Sequence, residues 1–281
     1  MQAARPSRSA LRVALRRAAH QIYDTRPLVF DDPLAVRILG LEFAEELRRT
    51  ETRLAKPSSA ALRAFLVARN RYAEDCLAKA YAGGVRQYCV LGAGLDTFAY
   101  RNGYAGLQTF EVDHPATQAW KRDLLVRSAI AAPDTLTYVA VDFEHEDLAE
   151  RLEAFGFSLS EPAFFAWLGV VPYLTEAAFR QTLRFLGKRA PGSGVALDYS
   201  QPRDALPLIE RMGHDSLASR VALSGEPFQL FFRPAEMARN LAEFRTGEDL
   251  GAREINARYF TGRSDPLRVH GSAGRIASAW V

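Results

Sequence analysis

Residues 84–115, GVRQYCVLGAGLDTFAYRNGYAGLQTFEVDHP, constrain the fold of this chain more than any other stretch. The apolar run Tyr88-Cys89-Val90-Leu91 stops at Gly92-Ala93-Gly94. A short apolar run closed by glycines suits a buried parallel strand, and the pattern beyond the corner suggests a helix. Glycine has no Cβ, so the backbone can turn tightly there and approach a ligand closely. A helix starting at that point would aim unpaired N–H groups at the same spot. A second apolar run, residues 107–112, leads into Asp113, about 20 residues past the first glycine. Strand, glycine corner, helix, strand and terminal acid is the layout by which a Rossmann-like unit holds the ribose of a nucleotide.

The spacing Gly92-x-Gly94-x-x-Thr97 sets Thr97 where a dinucleotide fingerprint prefers glycine or alanine under a pyrophosphate. Asp96 would oppose a bound pyrophosphate electrostatically. Both departures favour a cofactor without phosphates, S-adenosylmethionine being the candidate. A glycine turn of purely structural use is the alternative.

The run is also similar to the leucine carboxyl methyltransferase family and its bacterial S-adenosylmethionine-dependent relatives. Those proteins carry a strand ending in LGAGLDT, an arginine soon after, then E-V-D-x-P and a lysine. Here the match covers Arg86-Gln87, residues 91–97, Tyr100-Arg101, residues 111–113, Pro115 and Lys121. The resemblance implies a class I methyltransferase fold: an α/β, Rossmann-like, doubly wound and mostly parallel sheet with an N-terminal α-helical cover. It implies an S-adenosylmethionine site that includes Gly92, Ala93, Gly94 and Asp113.

Net charge is only +3, so bulk electrostatics do not point to nucleic acid. No apolar run is long enough to span a membrane, and no secretory segment is recognisable. Cys76 and Cys89 lack metal or redox spacing, which suggests a reduced cytoplasm, no metal site and no disulfide. The arginines at 5, 8, 12, 16 and 17 read as the solvated face of a first helix over residues 8–22. The loose family alignment offers Arg16 or Arg17 as a contact to the cofactor carboxylate. After it, Asp32-Pro33 can cap and start another helix.

A long helix is expected from Ser58 or Ser59 to about residue 81. Arg69 lies within its apolar stripe, and a buried guanidinium needs an anionic partner. The family places the arginine of an A-R motif here against the methionine carboxylate of the cofactor, and Ala68-Arg69 matches. The alternative is a structural salt bridge. A third strand, residues 136–141, ends in Asp142-Phe143. The acid suits the exocyclic amine of adenine and the ring suits its face, as the family's D-L or D-F pair does. Asp142 as N-cap of a helix over 146–154 is the alternative.

The fourth strand, residues 163–168, ends where the transferred methyl group would sit. Trp167 and Tyr173 are the acceptor-lining residues expected there. Many relatives carry A-E-G or A-E-C at this strand end. Leu168 replaces the glutamate, which argues against carrying over the leucine-carboxylate activity. A fifth strand is expected over 195–199, a helix over 204–219 and a sixth strand over 228–232. The expected organisation is a helical cover, residues 1–82, packed on a methyltransferase core, residues 83–281.

Methyl transfer from a sulfonium is an in-line displacement with a neutral leaving group, so positioning in a dry pocket can supply much of the catalysis. A carboxylate acceptor needs no base. For a hydroxyl acceptor, His114 is a nearby base, though a helix-start role suits it better. The sequence therefore suggests O-methylation of a carboxylate or hydroxyl of a small molecule, as in secondary metabolism. An NAD(P)-dependent oxidoreductase and a non-catalytic binding protein on the same fold are the alternatives.

Overall fold

Strand β1 (Gln87–Leu91) is buried at every residue, as an unbroken apolar run requires, and sits inside a seven-stranded sheet. The structure is a computed structural model and describes residues 7–40, 45, 47, 49, 56–223 and 225–281; Arg5 lies outside them. The other strands are β2 (Gln108–Asp113), β3 (Leu136–Ala140), β4 (Ala163–Trp167), β5 (Gly194–Ser200), β6 (Thr246–Leu250) and β7 (Gly274–Trp280). Their order is β3-β2-β1-β4-β5-β7-β6. The first five run parallel, and β7 is antiparallel to both β5 and β6. From β1 the chain winds outward to β2 and β3, then returns to β4 on the other side. Ligands bind at such a reversal, outside the carboxyl ends of the strands.

Helices cover both faces, as expected of a doubly wound sheet. One face buries Cys89, Leu91, Phe110, Phe165, Trp167 and Leu197 against α4 (Leu148–Ala154), α5 (Glu176–Gly187) and α7 (Pro234–Asn240). The other buries Tyr88, Val90, Phe164, Ala166 and Ala196 against α2 (Pro57–Ala82) and α8 (Ala252–Tyr259). Helix α2, counted with the cover in the sequence, is thus a layer of the sheet core itself. The covering element is α1 (Arg8–Tyr23), capped by Ser7 Oγ, which accepts from Ala10 N at 3.0 Å. Its Ala14 and Ala18 pack with Ile38 and Leu39 and with Leu124 of α3 (Pro115–Arg127).

Three local expectations are corrected. No α-helix follows the glycine corner; the chain makes one 3-10 turn, Phe98–Arg101. Asp96 Oδ1 takes the N–H of Phe98 at 2.7 Å, and Thr97 is committed to buried partners. Asn102-Gly103 then leads the chain away in extended form. Residues 228–232 are not a strand: Gln229 N and Leu230 N both donate to Pro172 O, at 2.7 and 3.2 Å, rather than to a neighbouring strand. The sixth strand is instead Thr246–Leu250, an edge segment whose acidic residues gave no apolar signal. Finally, Asp32-Pro33 opens a turn and a short 3-10 segment, Arg37–Leu39; Asp32 Oδ1 accepts from Leu34 N at 3.2 Å.

Candidate functional site

The glycine corner is fastened to the neighbouring strand, for Gly92 N and Ala93 N both donate to Val112 O, at 2.8 and 3.0 Å. Gly92 has φ +69°, and a Cβ there would fall 2.2 Å from Val170 Cγ2 in the loop leaving β4. Gly94 has φ +49°, and its Cβ would lie 3.1 Å from Ala10 Cβ of α1. Glycine is therefore required for backbone conformation and for close approach together. Asp113 ends β2 directly beside this corner. Its two carboxylate oxygens accept from Gly94 N at 2.5 Å and His114 N at 2.7 Å. Burial nevertheless pushes this carboxyl above its ordinary pKa, outweighing those two N–H groups. Each oxygen keeps a further lone pair for a ligand hydroxyl. His114 is the N-cap of α3, its Nδ1 accepting from Ala116 N at 3.2 Å.

A second centre lies where β4 and β5 end. The guanidinium of Arg69 reaches there from α2 and pairs with Asp198 of β5 at 2.7 Å. Gly169, with φ +69°, passes so close that a Cβ would sit 2.7 Å from an Arg69 terminal nitrogen. Gly169 N donates to the second Asp198 oxygen at 2.5 Å. Asp198 thus supplies the anionic partner that a buried Arg69 requires, while Arg69 Nε is buried with no hydrogen-bond partner. The phenol of Tyr173 belongs to this centre: burial raises its pKa, with Ser9, Glu226, Arg69 and Asp198 as its electrostatic surroundings. Ser9 N of α1 donates to Glu226 at 2.9 Å, closing the centre from above.

The remaining expected residues stand elsewhere. Asp142 follows β3 and holds a turn, its oxygens meeting Glu144 N at 3.0 Å and His145 Nδ1 at 3.1 Å. Burial acts against its charge, but these two contacts hold its pKa below the ordinary value. The N-cap of α4 is Asp147, so the capping alternative falls to the neighbouring acid. Phe143 packs against the core under α4 and α5. Trp167 does not open toward Arg69. It lies on the opposite sheet face, fully buried and stacked on Phe179 of α5 with centroids 5.5 Å apart. Strand alternation decides this, because Trp167 shares a face with Phe165.

The structure also ties the corner to the cover through buried charges, and it corrects the reading of Arg17 as part of a solvated helix face, since that side chain is buried. Arg17 of α1 pairs with Asp32, donates to Thr97 Oγ1 at 2.8 Å and reaches Leu95 O at 3.2 Å. Thr97 Oγ1 in turn donates to Asp32 at 2.8 Å, and Arg101 stands 3.6 Å from Asp32 while pairing with Glu74 of α2. Arg17 is therefore engaged by the corner. Lys121 is equally engaged, by Glu111 at 2.7 Å. Cys76 and Cys89 are buried and free, with burial pushing the Cys76 thiol up to about 11. Among the described residues no cluster could hold a metal ion, and no helix is long and apolar enough to cross a membrane.

The arrangement suits a nucleoside carrying an amino acid rather than a pyrophosphate. Carboxylates stand at the ends of β2 and β3, a guanidinium stands at the far end, and the chain leaving the corner makes a 3-10 turn rather than the α-helix that a pyrophosphate site uses. The sequence matches the family profile described as leucine carboxyl methyltransferase over residues 10–187. A Bacillus subtilis protein assigned as an S-adenosyl-L-methionine-dependent methyltransferase is 32% identical over 288 residues, covering 93% of each chain. A Mycolicibacterium vanbaalenii protein with the same assignment is 34% identical over 206 residues, covering 68% of this chain and 66% of its own. Among solved structures, a Thermobifida fusca protein titled as a methyltransferase aligns with TM-score 0.57 at 16% identity, covering 98% and 95% of the two chains. A Streptomyces avermitilis DUF574 family protein aligns with TM-score 0.54 at 16% identity, covering 96% of both. These two likenesses show the fold.

Proposed function

The chain belongs to the leucine carboxyl methyltransferase family, and from that premise we propose that it methylates an oxygen, carboxylate or hydroxyl, of a small molecule in secondary metabolism. It is a methyltransferase, and its methyl donor is S-adenosylmethionine. When bound, that cofactor supplies an electrophilic methyl group on a positively charged sulfur. In this reading Asp113 holds the ribose hydroxyls, and Gly92, Ala93 and Gly94 let the ligand lie against the corner. Arg69 takes the amino-acid carboxylate through the edge that Asp198 leaves open, while Asp142 and Phe143 flank the base. Tyr173 belongs to the acceptor side; Trp167 supports that wall from behind. Two buried free thiols suit a reducing cytoplasm, and the near-neutral charge offers no footing for nucleic acid or a membrane surface.

The observation that carries this reading is Asp113, a half-buried carboxylate aimed by two backbone N–H groups at the corner where the sheet order reverses. Replacing it removes two charge-assisted hydrogen bonds to the ribose. Asp113→Ala should therefore weaken S-adenosylhomocysteine binding about 100-fold in calorimetric titration, with little loss of fold. Unchanged affinity in that variant would show that the ribose lies elsewhere. Parallel titration with NADH tests the dehydrogenase alternative, which predicts binding of the dinucleotide.

A further inference from the structure

Helix α6 (Leu208–Ala222) holds a buried imidazole for which nothing above accounts. The helix crosses the carboxyl edge of the sheet. Near its start Glu210 accepts from Ser272 N at 2.7 Å, just ahead of β7. Near its end Arg220 O accepts from the Arg12 guanidinium of α1 at 3.2 Å. His214 lies between these anchors, one turn beyond Glu210 and two turns before buried Val221, so it faces inward over the exits of β4 and β5. Its side chain is only 10% exposed, and neither ring nitrogen has a hydrogen-bond partner.

That is an unusual state for a packing residue, since buried polar groups are ordinarily satisfied. His20, fully buried in the last turn of α1, shows the ordinary case: Nδ1 meets Asp24 at 2.7 Å, and Nε2 accepts from Phe30 N at 3.3 Å. Asp215 stands 3.7 Å from His214 Nδ1, too far for a hydrogen bond, and is itself held by Arg203 at 2.7 Å. The surroundings of His214 are otherwise aromatic. Its ring meets Phe231 at 5.7 Å, Phe231 meets Phe228 at 6.3 Å, and Phe228 meets Tyr173 at 5.2 Å. The segment bearing these phenylalanines is tied to the same strand exits, to Pro172 O and, through Phe232 N at 3.0 Å, to Ser200 O.

We propose that His214 binds and deprotonates the hydroxyl of an aromatic methyl acceptor held among Tyr173, Phe228 and Phe231. The proposal rests on the O-methyl-transfer reading above and narrows its acceptor to a phenol. The acceptor O–H bond breaks and its proton passes to a ring nitrogen of His214. The oxygen bonds to the methyl carbon, and the carbon–sulfur bond breaks with its electron pair left on sulfur. A neutral thioether results, and the proton on His214 returns to water as product leaves.

The test uses the full chain saturated with S-adenosylhomocysteine and two probes of one shape: 4-nitrophenol, whose phenolate absorbs visible light, and 4-nitrobenzoate. At a pH where free nitrophenol is mostly neutral, binding to the wild type should raise the phenolate band saturably. His214→Phe should weaken nitrophenol binding about tenfold or more. His214→Gln, which keeps a hydrogen-bonding side chain, should bind the probe without the rise in absorbance. Both variants should titrate S-adenosylhomocysteine like the wild type. The proposal is overturned if nitrophenol gives no signal with the loaded wild type, if either variant keeps the full signal, or if only nitrobenzoate binds. Failure of the wild type to bind S-adenosylhomocysteine would instead overturn the cofactor reading.

Discussion

Gly92 shows at the scale of one residue how the site limits the sequence. Its positive φ costs a side-chain-bearing residue about 1–2 kcal/mol, and Val170 stands where a Cβ would go. Gly106 has nearly the same φ, +70°, but open space around its Cβ position. Gly106→Ala should cost about 1–2 kcal/mol in urea unfolding and leave S-adenosylhomocysteine affinity unchanged. Gly92→Ala should cost more and weaken the nucleoside as well, because Val170 must move at the strand reversal. Equal affinity in the two variants would remove Gly92 from the site. The pair Gly92 and Asp113 was legible in the sequence because both follow from local pattern, an apolar run and what ends it. Asp198 and His214 were not, because their meaning depends on elements far away in the chain. Nothing around Asp198 says that Arg69, 129 residues earlier, will reach it. Trp167 was misplaced for a related reason: an apolar strand buried on both faces gives no alternation from which to tell one face from the other.

At the scale of elements, the contact between α1 and the corner depends on a few buried charges. Burial alone would push the carboxyl of Asp32 upward, but Arg17 and Arg101 outweigh it and hold the pKa below the ordinary 3.8. A depressed folded-state pKa means stability that is fully present above the ordinary value and is lost as pH falls through the folded one. Asp32→Asn should therefore flatten the loss of stability below about pH 4, measured by urea midpoints across an acid series. At neutral pH, Asp32→Ala should cost about 3 kcal/mol, the low end for a broken buried pair, because Asp96 still stands 3.7 Å from the Arg17 guanidinium. An unaltered acid profile in Asp32→Asn would assign acid sensitivity elsewhere, with Asp24 next in line because Arg63 and His20 depress its carboxyl against burial. Five parallel strands and most helices were readable from period and caps. The missing helix after β1 was not, since side-chain bonds from Asp96 and Thr97 replaced the backbone ladder that its pattern suggested. Strand β6 carries no strand signal in the sequence because it is an edge segment, TGEDL, whose backbone pairing with β7 does not need apolar side chains.

For the whole molecule, the cover and the sheet should respond to the cofactor as one body. Ala10 lies against Gly94, Arg17 against Leu95 and Thr97, and Ser9 against Glu226, so α1 touches both the glycine corner and the Arg69–Asp198 centre, the proposed ribose and acceptor ends. A ligand bound only by the folded state stabilises it by about 2.7 kcal/mol at 100 times its dissociation constant. Where that stabilisation appears is a separate question, because local opening can release α1 without unfolding the sheet. If the buried charges couple the two, S-adenosylhomocysteine should slow hydrogen exchange in residues 8–23 together with residues 92–97. In Thr97→Val, which keeps the volume but cuts the bonds to Asp32 and Arg17, the corner should still gain protection while α1 gains less. Equal protection of α1 in wild type and variant would mean that Ala10 and the apolar contacts with Leu124 hold the cover down unaided. Protection confined to the corner in the wild type would mean that α1 opens independently, and acceptor entry would then not require cofactor release.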